Sequence, residues 1–270
     1  MINEILGAAP FFLLGAVRAL GLIETAPMLS SESIPQVAKI ALAGFLSFAV
    51  IPSAIPQWQA LPGGLIETGF TLNFALLLAG EALIGITTGF FMTIIFAAFS
   101  TAGQFFSLQM GWSASETFDP LAQVENPLLG QFLNLVGMLT FLVGETEGFK
   151  GLFWRGFRDS VLSLNVLELA AGHGEVVKMM TGGLTGLFLA AMEISLPILG
   201  ALFLTTLATG LISKAAPQIN MMSEGFPIST TVAFVLIFAI LPFMAGKFER
   251  ILLSGFESLK QLYIQIGVQP

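Results

Sequence analysis

S-T-A-G-Q-F-F-S-L-Q-M-G-W-S-A-S-E-T-F-D-P, residues Ser100 to Pro120, closes the longest uncharged run in the chain: no Asp, Glu, Lys or Arg occurs between Glu81 and Glu116. The run before it is apolar enough to lie in a bilayer, whereas the stretch itself is not. Gln104, Gln109 and several hydroxyl residues are crowded together with Phe105, Phe106, Trp112 and Phe118. Against lipid each unpaired polar group costs several kcal/mol. Gly103 and Gly111 each weaken a helix by roughly 1 kcal/mol relative to alanine and so permit a bend. Such a segment belongs inside protein or along a wet cavity, where it lines or blocks a path.

The bulk numbers place the rest of the chain in the same class. Of 270 residues, 55% are hydrophobic and 10% charged, with a mean hydropathy of +0.89. That is the composition of an all-α polytopic membrane protein, not of a soluble domain. A net charge of −7 with ten Lys and Arg leaves no basic surface for nucleic acid. The absence of cysteine excludes disulfides and thiolate metal sites, and a lone histidine, His173, cannot build a histidine metal site within this chain. The first hydrophobic stretch lacks a positive n-region, its earliest basic residue being Arg18, and reads as a retained helix and not a signal peptide.

Six hydrophobic segments follow, within one integral-membrane domain spanning 1–270. They cover about Ala8–Pro27, Ile40–Ile55, a third from near Phe70, Leu128–Gly144, about Gly182–Ser213, and Ile228–Gly246. A spanning helix needs about 20 apolar residues. The second segment, closed by Pro52 and Pro56, is short by that measure, and the fifth is long enough to be kinked, tilted or projecting. Gly85-x-x-x-Gly89 in the third has the spacing that lets helix backbones approach closely. Residues Glu145 to Lys178 form the one hydrophilic section of any size. There Leu152, Phe153, Phe157, Val161, Leu164 and Leu167 recur at helical steps beside Trp154 and Arg155. This predicts an amphipathic helix, lying either on a membrane surface or on the protein's own core. Six spans would put both termini in the cytoplasm, with the basic residues of the long loop and the tail. The tail, with Lys247, Arg250 and Lys260, reads as a further amphipathic helix.

Arg18, Glu24, Glu81 and Glu193 are charges inside hydrophobic segments. Their cost in lipid means that they face protein or water, either as a structural pair across helices or in a transport role. No catalytic signature is present: there is no H-E-x-x-H, no G-x-S-x-G and no P-loop lysine. The chain therefore does not read as an enzyme, and no cofactor or metal is implied.

Several spaced features together resemble the FliR export-gate family of flagellar and virulence type III secretion systems (SctT-like). They are Arg18 with Ala26-Pro27 and Ile34-Pro35; Glu81 with Gly85 and Gly89; and Ala102-Gly103-Gln104, Gln109-Met110-Gly111 and Asp119-Pro120. The last are Ala216-Pro217-Gln218-Ile219-Asn220 and Gly225-Phe226-Pro227. The resemblance covers nearly the whole chain. It implies a helical assembly with FliP and FliQ, with FlhB alongside, in the bacterial inner membrane at the flagellar basal body, passing unfolded flagellar export substrates. It also implies a pore-facing loop that plugs the closed pore, matching Gln104, Phe105, Phe106, Gln109, Met110, Gly111 and Trp112, and a loop motif at Pro217, Gln218 and Asn220. A small-molecule secondary transporter using Arg18, Glu81 and Glu193 is the alternative, disfavoured by the lack of internal repeats. A purely structural membrane scaffold is another.

Overall fold

The computed structural model describes residues 2–59, 71–111, 128–144, 148–216 and 221–267, and among them there is no β-strand. Helices α1 (Ile2–Thr25), α2 (Gln36–Gln59), α3 (Leu72–Met110) and α4 (Leu128–Val143) are followed by a run of short pieces. These are α5 (Gly148–Gly151), a π-helical segment (Leu152–Arg158), α6 (Asp159–Ser163) and α7 (Val166–Ala171). Two long helices, α8 (His173–Ala215) and α9 (Met221–Gly267), complete the chain. Stretches of α2, α3, α8 and α9 are long and apolar enough to cross a membrane, and α4 is a shorter apolar helix. The protein is an all-α polytopic membrane protein.

The helices merge what the sequence pattern separates. α2 carries Pro52 and Pro56 inside it and continues to Gln59. The expected end at those prolines is overridden by packing, since Ala54 and Trp58 are both buried. Residues Ser100–Met110 form the last turns of α3, with no helix break at Gly103. Pro227 lies inside α9, which runs without interruption into the tail carrying Lys247, Arg250 and Lys260. The loop expected up to Pro227 is therefore shorter, because helix resumes at Met221.

The described chain divides into two compact units. The first draws on 1–94, 146–183 and 253–270, and the second on 95–145 and 184–252. In the first, α1 lies against α3 at the Gly85–Gly89 spacing. A Cβ on Gly85 would sit 2.1 Å from the Arg18 carbonyl oxygen, and one on Gly89 would sit 2.2 Å from the Thr25 hydroxyl. Only glycine permits that approach. The segment predicted as amphipathic turns Leu152, Phe157, Val161 and Leu164 inward, all buried. Its apolar face packs on the protein's own core. The i→i+5 winding, seen in the Asp159 N–H donating to the Trp154 carbonyl, brings Phe157 back over Leu152 so that both point inward. Asn165 then starts α7 with a capping box, exchanging side-chain-to-backbone bonds with Glu168.

The second unit is held by aromatic and backbone contact. Phe99 stacks on Phe248 at 4.1 Å between ring centroids and meets Phe96 edge-on, while Phe96 meets Phe141. A Cβ on Gly103 would fall 2.5 Å from the Gly130 Cα, so α3 and α4 pass nearly backbone to backbone there. Gly103 is used for close approach and not for the bend its presence suggested.

Candidate functional site

Two places gather the residues singled out by the sequence. The first is built around Arg18, which is fully buried. Its Nε donates to Glu81 Oε2 at 2.5 Å, Nη1 to the Ser160 carbonyl at 2.6 Å and Nη2 to the Leu164 carbonyl at 2.9 Å. Glu81, also buried, accepts a second bond on Oε1 from Trp58 Nε1 at 3.2 Å. Both ions are paired and bonded further, which is the condition for holding a charge away from water. One guanidinium thus ties α1 to α3, to the carbonyls at the end of α6, and through Glu81 to α2. The geometry is that of a structural knot. Arg18 and Glu81 spend their bonding capacity on each other and on backbone, leaving little with which to bind a solute.

The remaining charges do not join it. Glu24 accepts from Lys39 Nζ at 3.0 Å. Glu193 pairs with Lys247 at 3.2 Å and is 64% exposed, so of the four charges inside hydrophobic segments only Arg18 and Glu81 meet each other.

The second place is the end of α3. Phe106 and Met110 are buried in packing within the chain, Gln104 is exposed, and Phe105 and Gln109 are half-buried. Ser107 is buried with its hydroxyl unpartnered, and Leu108 is exposed. Gly111 takes φ 80°, a left-handed conformation that ends the helix cheaply only at glycine. Hence Gln104 to Met110, expected as a loop, are helical, and Gly111 is where the chain turns. Trp112, Pro217, Gln218 and Asn220 lie outside the described residues.

Sequence reasoning missed several participants. Trp58 and the carbonyls of Ser160 and Leu164 complete the Arg18 knot, but backbone acceptors leave no trace in residue identity. Tyr263, the only tyrosine in the chain, places its hydroxyl 2.8 Å from that of Thr88 and donates to the Gly156 carbonyl. A lone tyrosine in the amphipathic tail was the available signal. Among the described residues no three His, Asp or Glu side chains converge as metal ligands would.

The family of bacterial export proteins, family 1, matches residues 9–255. The chain belongs to that family. Among curated proteins it is similar to the flagellar biosynthetic protein FliR of Escherichia coli (strain K12), 32% identical over 255 residues, covering 93% of this chain and 91% of that one. FliR of Bacillus subtilis (strain 168) is 26% identical over 268 residues, covering 98% and 99%. FliR of Borreliella burgdorferi is 33% identical over 189 residues, 70% of each chain. Within this family member, the Arg18–Glu81 pair is bonded to groups of its own chain, while the α3 end leaves Gln104 and Leu108 exposed.

Proposed function

We infer that the chain is a component of the flagellar protein export apparatus. It assembles with FliP and FliQ, with FlhB alongside, in the bacterial inner membrane at the flagellar basal body. The assembly passes unfolded flagellar substrates, and the end of α3 with the segment that follows it helps keep the path closed. Family membership over residues 9–255 and full-length similarity to proteins named FliR support the apparatus. The observation that carries the closing role is the contrast along one uncharged helix end. Phe106 and Met110 anchor it, while Gln104 and Leu108 face outward and Gly111 turns the chain. An exposed glutamine on an otherwise apolar membrane helix is costly against lipid and fits a surface covered by partner subunits or water.

The transporter alternative needs free intramembrane charges, and the bonded state of Arg18 and Glu81 argues against it. Purification through a tag on this chain from detergent-solubilised membranes tests the reading. A complex retaining FliP and FliQ is expected. A folded chain that comes through without either would return the choice to transporter or scaffold.

A further inference from the structure

The second unit contains its own depth marker. Glu193 on α8 pairs with Lys247 on α9 at 3.2 Å. A Cβ on Gly144, at the end of α4, would lie 2.7 Å from the Glu249 carboxylate. These contacts bring the ends of three uncharged stretches, 128–144, 194–213 and 225–246, to one level. The stretch 194–213 is 20 residues long and 225–246 is 22. At about 1.5 Å per residue both match the ~30 Å core of a bilayer. Glu193, Lys247, Glu249 and Arg250 therefore gather at one end of these stretches, where α4 also ends.

Eight residues after Gly144 the π-helical segment begins. Lys150, Arg155 and Arg158 put three cations and no anion between 150 and 158, in a chain of net charge −7. With the apolar side of this region turned into the core, what faces outward is basic and aromatic. Trp154 is 59% exposed, Lys150 and Arg155 are exposed, and Arg158 holds its guanidinium 5.0 Å over the Trp154 ring. Asp159 is the neighbouring carboxylate, half-buried and 3.5 Å from Arg158. Burial raises its carboxyl above the usual range against the pull of Arg158, Lys260 and Arg155. π-Helical winding is rare and frequently lies at functional sites.

We propose that this face is a membrane-surface contact: Lys150, Arg155 and Arg158 bind anionic phospholipid headgroups, and Trp154 sits at headgroup depth. Arginine matches phosphate geometry, and tryptophan belongs at the apolar–polar boundary. The apolar side being already buried, attachment runs through charge and one ring rather than through insertion of a helix face. An acidic protein segment would satisfy the charge alone. Lipid is favoured by the exposed indole beside the cations. The proposal stands independently of the export reading.

The test uses the full chain in proteoliposomes, reading tryptophan fluorescence quenched by brominated phosphatidylglycerol or brominated phosphatidylcholine. Trp154→Phe identifies the signal of that ring against Trp58 and Trp112. The expected result is about twofold stronger quenching by the anionic lipid, lost in Trp154→Phe, in Arg155→Gln/Arg158→Gln and in high salt. Because Arg158 also contacts Trp154 and Asp159, Arg155→Gln alone is measured as well. It should lose part of the preference with an unchanged thermal transition. Equal quenching by both lipids, or a preference that survives the double variant, overturns the proposal. So does lipid-indifferent quenching combined with loss of a copurifying membrane protein in the double variant, which would assign the face to an acidic protein segment.

Discussion

The two halves of α3 are held in opposite ways. Before residue 95, directional bonds dominate: Glu81 takes Arg18 and Trp58, Thr88 meets Tyr263, and Thr93 donates to the Thr25 carbonyl at 2.6 Å. After it, the helix is held by ring packing at Phe96 and Phe99 and by the bare backbone contact at Gly103, and Ser107 has no partner. Hydrogen bonds and ion pairs fix register, because a slip of one residue breaks them. Apolar packing tolerates adjustment more readily. The first half is pinned by directional bonds, whereas the second rests mainly on packing.

The largest effect that would sharpen this contrast is at Arg18. Arg18→Ala leaves the Glu81 carboxylate and the Ser160 and Leu164 carbonyls buried without their donor, a loss of about 3–5 kcal/mol. Denaturation in detergent, or the yield of folded protein, would show it. Exchanging the pair as Arg18→Glu with Glu81→Arg should not restore stability, because the two carbonyl bonds do not move with the charge. A full rescue would mean that the pair alone matters.

Gly103→Ala comes next. Its methyl group would meet the Gly130 Cα and the Leu129 carbonyl oxygen, each 2.5 Å away. Overpacking of this kind costs about 1–3 kcal/mol. A thermal transition matching that of the unsubstituted protein would show that the α3–α4 contact yields more easily than described.

Ser107→Ala should act in the other direction. Removing a buried hydroxyl without a partner relieves a penalty of about 1–3 kcal/mol, so the transition should rise by a few degrees. A fall would show that the hydroxyl is satisfied in the assembled state. The smallest effect is expected at the exposed Glu193–Lys247 pair, where Lys247→Gln should change stability by less than about 1 kcal/mol.

The class of fold was legible because bilayer crossing is a composition problem, and the uncharged runs set the helices directly. The Gly85–Gly89 spacing was legible for a similar reason, since only missing side chains allow that approach to α1. Boundaries were not. Pro52, Pro56 and Pro227 signal helix ends locally, yet tertiary packing carries α2 and α9 through them. Gly103 signalled a bend because glycine serves both flexibility and close approach, and only the neighbour at Gly130 separates the two. Arg18 and Glu81 could be named as costly charges, but the carbonyls that complete their knot belong to backbone, which sequence does not mark. At the α3 end the polar composition was visible, while the inward turn of Phe106 and Met110 was not.

The most direct test of the closing role is ion conductance across membranes containing this chain with FliP and FliQ. The unsubstituted complex is compared with one lacking Gln109 to Trp112, with copurification showing that both assemble. A large rise in leak in the intact shortened complex is predicted. An unchanged leak from a fully assembled complex would contradict the account and leave the α3 end as packing alone.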